Sequence, residues 1–374
     1  MIESFIVTFL ANPLPVRIMQ MFLRFKIMRS VYRSMRYVLL PFVPLYLLLF
    51  YLKKVFSKTY TVTVPVICVG NITTGGAGKT PAVMYLARLL QRAGLHPGIV
   101  SRGYGGSESK RGALVTDGYR TYLEPEQSGD EPYLISMKLR GVPVYIARRR
   151  IDAIENLNRH HDVDLVLMDD GLQNWTVYKD ISVIVIDSAN PFGNGIALPA
   201  GDLRETRGAI ARGDIVILNR SDSISDQKLI ELKKYLGKWC RKDRIFDAHY
   251  TEVKLYKLLD GTHVPVEVLE KRRVLVFSGI AHPDSFVTLV RTFNPLSIET
   301  ITFPDHYHYR SKDVNRIMQL SNEYDYVITT EKDFVKLKGF CVNEKFHVME
   351  ISLSIEQYDE LYRFLISAIS SLLP

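Results

Sequence analysis

The sequence predicts a doubly wound α/β fold with a mostly parallel sheet. After residue 60, short apolar runs alternate with helical stretches, and several runs are β-branched on both faces, as in a sheet covered by helices. The first run, 64–69, leads through a glycine-rich turn into a helical stretch. With 374 residues, 47% of them apolar, the chain can bury the cores of two domains.

Eight apolar runs are predicted as strands: 64–69, 98–101, 142–147, 165–168, 183–186, 215–218, 274–277 and 326–329. A polar, charged stretch at 221–244 separates two apolar halves. We therefore expect an N-terminal segment over 1–60, an α/β domain over 61–245 and a smaller α/β domain over 246–374. Ligands of such folds bind at the carboxyl ends of strands, where most of the polar clusters below occur.

Residues 1–60 are both basic and apolar. They carry nine Lys and Arg residues against one acid, Glu3, so this segment accounts for the whole net charge of +8. Residues 37–52 contain no charge, and before them apolar residues recur at helical spacing from Ile18 to Met35, with arginines between them. This pattern predicts a basic amphipathic helix attached to an anionic membrane surface. A spanning helix would need about twenty apolar residues.

Other interpretations of the segment are weaker. A buried helical hairpin is disfavoured because core helices seldom carry so one-sided a charge. Nucleic-acid binding is disfavoured because no recognised motif accompanies the basic residues, and no small-residue cleavage site marks a secretory signal. The three cysteines, Cys68, Cys240 and Cys341, lack paired spacing. We expect neither a disulfide framework nor a zinc site, which fits a reducing cytosol.

The turn after the first strand ends in Lys79 and Thr80, followed by Pro81. Such a turn directs backbone N–H groups and the positive end of a helix at one point, while the lysine adds charge and the threonine a hydroxyl for magnesium. The strict phosphate-loop pattern has glycine where this chain has Thr73, and an ordinary glycine-rich turn is the alternative. The Lys-Thr pair before a first-turn proline favours a nucleoside triphosphate, held by Thr74, Gly75, Gly76, Ala77, Gly78, Lys79 and Thr80.

Asp169 and Asp170 end the apolar run 165–168. A strand that ends in acid beside a phosphate loop holds Mg²⁺, directly or through water. The alternative is a solvated acid pair at a strand end. Because the phosphate loop is in the same chain, the metal role is favoured.

Weaker signals come from four further clusters. Asp130 stands in a turn before a helix, where an N-cap acid is the commoner explanation. His306 lies in the polar and aromatic stretch 303–309 and could be a base, a ligand or a surface residue. Residues 219–222 (NRSD) partly match the guanine-reading motif of GTPases but are interpreted as an ordinary strand-end turn. The stretch 329–333 is interpreted as structural.

Seven motifs, taken in order, resemble those of the tetraacyldisaccharide 4′-kinase family, the lipid A 4′-kinases of Gram-negative bacteria. They are 70–81 (GNITTGGAGKTP), 101–105 (SRGYG), 129–132 (GDEP), 169–173 (DDGLQ), 203–205 (LRE), 304–307 (PDHY) and 330–333 (TEKD). The ordered set is specific, whereas each motif alone is not. The resemblance runs from about residue 35 to the C-terminus, and that family's loop also lacks the first glycine.

The resemblance implies a P-loop kinase of two α/β domains, with the active site in the cleft between them. It would use ATP and Mg²⁺ to phosphorylate the 4′-hydroxyl of a tetraacyldisaccharide 1-phosphate at the cytoplasmic face of the inner membrane, without an obligate protein partner. Lys79 and Thr80 match the residues that contact the ATP phosphates and Mg²⁺. The other matched positions are Asp169 and Asp170 for the metal, Asp130 for the general base, His306 for its paired histidine, Glu205 near the metal, and Tyr104, Arg150 and Arg204 near phosphates or substrate.

Two departures from the family pattern limit what carries over. The family usually has Phe and His where this chain has Leu172 and Asn174, so a histidine role at 174 does not carry over. Residues 1–34 extend beyond the usual start, which makes Met28 and Met35 alternative initiators. Two rival classes remain: a membrane-associated partitioning ATPase, which normally has a lysine at the position of Thr74, and a GTP-driven targeting protein, which rests on residues 219–222.

Overall fold

The computed structural model describes residues 36–373. Of these, 36–56 and 192–206 form one compact unit, and 57–191 with 207–373 form a second. The amphipathic helix expected between Ile18 and Met35 lies outside the described residues. We refer to the two units as the N-terminal unit and the sheet unit.

Helices flank the sheet and begin where the sequence places proline, acid or a glycine turn. The helix α1 (Val43–Phe56) belongs to the N-terminal unit. Those of the sheet unit are α2 (Lys79–Arg92), α3 (Pro125–Ser128), α4 (Asp130–Lys138), α5 (Arg150–His160), α6 (Asp226–Leu236), α7 (Pro283–Arg291), α8 (Ser311–Leu320), α9 (Glu331–Phe334) and α10 (Tyr358–Ser370).

Within residues 57–373, thirteen strands form a single sheet. They are β1 (Val66–Gly70), β2 (Pro97–Ser101), β3 (Ala113–Thr116), β4 (Val144–Ile146), β5 (Leu165–Asp169), β6 (Ile181–Asp187), β7 (Ile215–Asn219), β8 (Ile245–Lys257), β9 (His263–Val264), β10 (Arg273–Ser278), β11 (Ser297–Thr302), β12 (Tyr326–Thr330) and β13 (Phe346–Ile355).

The strand order is β11-β10-β12-β13-β8-β7-β6-β1-β5-β2-β4-β3, with β9 paired to β8. All pairings are parallel except β3–β4, β8–β13 and β8–β9. β1 lies between β5 and β6, with Val69 opposite Asp169 on one side and Val183 on the other. Its residues are all buried, and α2 packs on it through Val83, Leu86 and Leu90. The carboxyl ends of β1 and β5 therefore lie side by side.

The predicted α/β class and mostly parallel sheet are confirmed. The eight predicted strands correspond to β1, β2, β4, β5, β6, β7, β10 and β12, and the other five were not predicted. The predicted boundary between residues 245 and 246 falls at the start of β8, which pairs with both β7 and β13. The sheet is continuous there, and the division into two α/β domains stays a prediction.

The N-terminal unit joins α1 to the segment 192–206. Arg36 forms a two-point ion pair with Asp202, at 2.8 and 3.2 Å, and the Tyr46 hydroxyl donates to the Arg204 carbonyl at 2.8 Å. No residue of α1 is buried, although the helix is almost entirely apolar. Among residues 36–373, no helix combines the length and apolar character that crossing a bilayer requires.

Candidate active site

The turn between β1 and α2 forms a compact loop. At two of its positions only glycine fits the backbone conformation. Gly75 and Gly78 have φ angles of +102° and +90°, which L side chains rarely adopt. A Cβ at Gly78 would also approach the Asn219 Nδ2 atom to 2.1 Å. The Asn219 side-chain amide also donates to the Ala77 carbonyl at 3.0 Å. A residue at the end of β7 therefore helps to fix the position of the loop.

Lys79 begins α2 and joins the loop to the acidic end of β5. Its Nζ donates to Asn71 Oδ1 at 3.3 Å and lies 3.6 Å from Asp170 Oδ1. Asn71 is fully buried, and its carbonyl accepts from Gln173 Nε2 at 2.9 Å. Thr80 follows in the first turn and is 9% exposed. The phosphate-loop lysine and the predicted metal-binding acids are therefore neighbours.

Asp169 is a buried carboxylate with an unsatisfied atom. Ser101 Oγ donates to its Oδ2 at 3.4 Å, while its buried Oδ1 has no hydrogen-bond partner among residues 36–373. Burial raises the pKa of Asp169, and Glu131 and Asp170 raise it further, against the lowering effect of Lys79 and Arg150. Burial and the neighbouring acids disfavour the charged form of this carboxylate, so a nearby cation would stabilise it strongly.

The donor set fits magnesium. Within residues 36–373, no three His, Cys, Asp or Glu side chains converge as a ready-made metal site. Mg²⁺ does not need one, because it binds through one or two carboxylates together with phosphate oxygens and water. Asp169, Asp170 and the Thr80 hydroxyl are the side chains near the loop that could supply the protein's ligands for such an ion.

Arg150 begins α5 and is 4% exposed. Its Nη1 donates to the Ala147 carbonyl at 2.8 Å. Burial lowers its pKa to about 10, partly offset by Asp169 and Asp170. It therefore remains a cation beside the acidic pair at neutral pH.

Asp130 and His306, 176 positions apart, are in contact. His306 Nδ1 lies 3.2 Å from Asp130 Oδ2, and the Tyr104 ring centroid lies 5.2 Å from that of His306. Asp130 is 6% exposed and opens α4 directly after Gly129, where an added Cβ would meet the Tyr104 carbonyl at 2.5 Å. His306 itself has a positive φ of +57°. Strained backbone of this kind is concentrated at functional sites.

Two lysines surround this pair. Lys336 Nζ lies 3.8 Å from Asp130 Oδ2 and 2.9 Å from Asp333 Oδ1, and Lys332 Nζ lies 3.2 Å from His306 Nε2. Burial by itself raises the pKa of Asp130, but the His306 hydrogen bond and the charges of Lys336 and Lys332 together lower it below its ordinary value. Asp130 is therefore a carboxylate at neutral pH, able to accept a proton.

Several residues of this arrangement were not singled out from the sequence. Asn219, interpreted as part of an ordinary strand-end turn, holds the phosphate loop, and its amide also donates to Tyr250 at 3.1 Å. The structural interpretation of 329–333 is incomplete, because Lys332 contacts His306. Lys336 carried no motif signal. Arg204 and Glu205 belong to the N-terminal unit.

The arrangement suits phosphoryl transfer to a hydroxyl group. A phosphate loop with its lysine lies beside buried carboxylates, and Glu131, which follows Asp130 directly, is close enough to Asp169 to influence its ionisation. Asp130 and Asp169 therefore lie near each other. A cavity of about 400 Å³ adjoins Asp130 and is also lined by Lys336 and Lys338.

Comparisons with known proteins point the same way. Residues 35–370 match the family described as tetraacyldisaccharide-1-P 4′-kinase. A tetraacyldisaccharide 4′-kinase of Desulfatibacillum aliphaticivorans is 34% identical, with 84% of this chain and 86% of the relative covered. One from Syntrophus aciditrophicus is 35% identical, covering 78% and 79%. A crystal structure of LpxK from Aquifex aeolicus in complex with ATP is 26% identical with a TM-score of 0.69, covering 90% of this chain and 99% of that one.

Proposed function

Because the chain belongs to the tetraacyldisaccharide-1-P 4′-kinase family, we propose that it catalyses ATP-dependent phosphorylation of the 4′-hydroxyl of a tetraacyldisaccharide 1-phosphate in lipid A biosynthesis. The observation that carries this proposal is the Asp130–His306 pair at the same sheet edge as the phosphate loop. A switch ATPase or GTPase does not need a proton acceptor for an alcohol. A kinase does, because a sugar hydroxyl is a poor nucleophile at neutral pH.

We assign the donor side of the reaction to the loop. Backbone N–H groups of 74–80 and the charge of Lys79 bind the phosphates and oppose the charge that develops during transfer. Asp169, Asp170 and Thr80 would hold Mg²⁺, which supplies charge neutralisation at the phosphates when bound. Arg150, buried beside the two aspartates, adds a fixed positive charge. Glu205 and Arg204 remain candidates for metal and substrate contacts.

On the acceptor side, Asp130 takes the proton of the hydroxyl. His306 donates to its carboxylate and orients it, and the Tyr104 ring lies against His306. Asp130 is ionised at neutral pH, as a base must be. The catalytic residues of this proposal are therefore Lys79, Asp130 and His306.

The proposal is tested by phosphoryl transfer from radiolabelled ATP to a tetraacyldisaccharide 1-phosphate in mixed micelles. We expect a labelled lipid product that depends on both lipid and ATP, with GTP a poor substitute. The control reaction is ATP hydrolysis without lipid, in which water accepts the phosphoryl group. Nucleotide hydrolysis without any lipid product would instead favour a switch ATPase.

The metal assignment predicts the behaviour of two variants. Asp169→Asn and Asp170→Asn should each lower kcat, because strand-end carboxylates hold the metal in such sites. At least one variant should recover in part at high Mg²⁺ or with Mn²⁺. Activity titrated against each metal provides the measurement, and Asp180→Asn, whose carboxylate caps Val66 N at 2.8 Å, is a matched control. If neither variant loses activity, the metal is held elsewhere.

We propose that the protein attaches to the cytoplasmic face of the inner membrane through residues 1–60. An acylated substrate does not leave a bilayer readily, since each exposed methylene costs about 0.8 kcal/mol. The segment accounts for the whole net charge, and α1 exposes Leu45, Leu48 and Leu52 along one side, by 51, 55 and 41%. An apolar helix with this exposure, next to basic residues, fits an anionic interface.

Sedimentation with anionic vesicles tests this attachment. Replacing Leu45, Leu48 and Leu52 together with serine should weaken vesicle binding and use of lipid substrate, because apolar insertion is lost. The matched control replaces Leu259 and Leu296, which are 64 and 70% exposed in the sheet unit. Raised salt should weaken binding of the unmodified protein only in part, since salt screens charges but leaves apolar insertion in place. Unchanged binding of the triple variant would place attachment elsewhere.

A further inference from the structure

Lys332, in the short helix α9, has three acceptors around its ammonium group. Its Nζ lies 3.2 Å from Glu131 Oε1, 3.3 Å from Asp305 Oδ1 and 3.2 Å from His306 Nε2. An ammonium carries three N–H donors and no acceptor. Each of its protons thus has one partner, and the ring nitrogen Nε2 must be the acceptor of one of them.

This contact decides where the proton of the neutral imidazole resides. If Nε2 accepts from Lys332, the ring proton is on Nδ1, which lies 3.2 Å from Asp130 Oδ2. Asp130 is an acceptor only when ionised, so the two hydrogen bonds are mutually consistent in one tautomer. In the other tautomer, an N–H would face an ammonium and a bare nitrogen would face a carboxylate.

We infer that Lys332 is a positioning residue that holds His306 in the Nδ1–H tautomer and thereby directs the proton of the acceptor hydroxyl to Asp130 rather than to the imidazole. The inference rests on the proposed function, since it concerns the pair that receives that proton. In the transfer step, the hydroxyl O–H bond breaks as its oxygen bonds to the γ-phosphorus and the bond to ADP breaks. The proton moves to the Asp130 carboxylate, and His306 keeps its own.

The surrounding charges support this assignment. Burial alone lowers the pKa of Lys332, but Glu131 and Asp305 raise it above its ordinary value, so the group stays an ammonium. His306 is faced by Asp130, Lys332, the Tyr104 ring and Asp305, whose Oδ2 lies 3.9 Å from Nε2. The remaining charge near Asp130 is Lys336, which also pairs with Asp333.

The first test reads the tautomer directly, in the full chain without nucleotide. Long-range ¹H–¹⁵N spectra distinguish Nδ1–H, Nε2–H and doubly protonated histidines, and loss of one signal set in His306→Gln assigns the residue. We expect the Nδ1–H pattern in the unmodified protein at pH 8. Lys332→Gln keeps an N–H donor without the charge, whereas Lys332→Met keeps neither. Only Lys332→Met should show less of the Nδ1–H pattern, because Asp305, whose Oδ2 lies 3.9 Å from Nε2, can then compete with Asp130 for the ring proton.

The second test is kinetic. Lys332→Met should lower kcat by at least about tenfold, the scale seen when groups that orient a histidine are removed, with little change in the KM for ATP. The acid limb of its kcat–pH profile should move to higher pH, because the charge of Lys332 helps to lower the pKa of Asp130. Lys332→Gln should retain more activity. Lys345→Met is the matched control, since Lys345 donates to the backbone carbonyls of Ser321 and Tyr324, at 3.0 and 2.9 Å.

Two results would overturn the inference: an Nε2–H pattern in the unmodified protein, or an unchanged tautomer and pH profile in Lys332→Met. If that variant does not fold, the unmodified protein and Lys332→Gln still decide the tautomer. A protein with the expected tautomer but no lipid kinase activity would refute the proposed function and leave the hydrogen-bond assignment standing.

Discussion

Lys79→Ala is expected to lower phosphoryl transfer by about 10³-fold, the upper range for removing one group that stabilises developing charge. The lysine stands at the mouth of the loop, where its charge meets the β- and γ-phosphates. Its contacts in the structure are with Asn71 and Asp170, both at the same site. We therefore expect the fold to be unaffected, and turnover should be measured alongside a thermal melt.

The matched control is Lys228→Ala, an exposed lysine of α6. It should leave both turnover and the melting temperature unchanged. Near-normal turnover of Lys79→Ala would remove this residue from the mechanism. A large fall in melting temperature would instead indicate that Lys79 mainly offsets the charge of Asp170.

The parallel strands were predictable because of where they lie. A strand covered by helices on both faces is apolar along its whole length, and β1, β5, β6 and β7 are buried at every position. Such runs stand out in a sequence without an alignment. The turns at their carboxyl ends were predictable for the same reason, since the end of an apolar run marks the edge of the sheet.

The strands that were missed have a different environment. β8, β13 and β3 take part in antiparallel pairings, and β11 is an edge strand with only part of its surface buried. The sequences of β8, β11 and β13 mix polar and apolar residues, so no continuous apolar run marks them. β3 has only three consecutive apolar residues, which is too short a run to stand out. β8 follows the polar stretch 221–244, where the sequence indicated a domain boundary. Because β8 pairs with both β7 and β13, the sheet continues across that position.

The site was predictable only as far as its motifs were local. Lys79 and Thr80 follow from a strand, a turn and a helix in one short stretch. The contact between Asp130 and His306 joins the start of α4 to the loop after β11, and no local pattern encodes such a contact. The family resemblance supplied that pairing. Lys332 and Lys336 were missed because their role depends on burial beside acids from other parts of the chain.

Asp130 and His306 are expected to behave as one unit in a double-mutant cycle. Asp130→Asn and His306→Ala should each lower kcat, by about 10²–10⁴-fold for loss of a general base, with a smaller change in the KM for ATP. The physical reason is the 3.2 Å hydrogen bond, through which the imidazole orients the carboxylate and favours its ionised form. Turnover of both single variants and the double variant should be measured at saturating ATP and lipid.

The double variant should be little slower than the slower single variant, because removing either partner already disables the pair. His160→Ala is the matched control, since it removes an exposed histidine at the C-terminal end of α5. Fully multiplicative losses would show that the two residues act independently. A full-rate Asp130→Asn enzyme would eliminate Asp130 as the proton acceptor and leave His306 as the next candidate, which would also contradict the proton route inferred from Lys332.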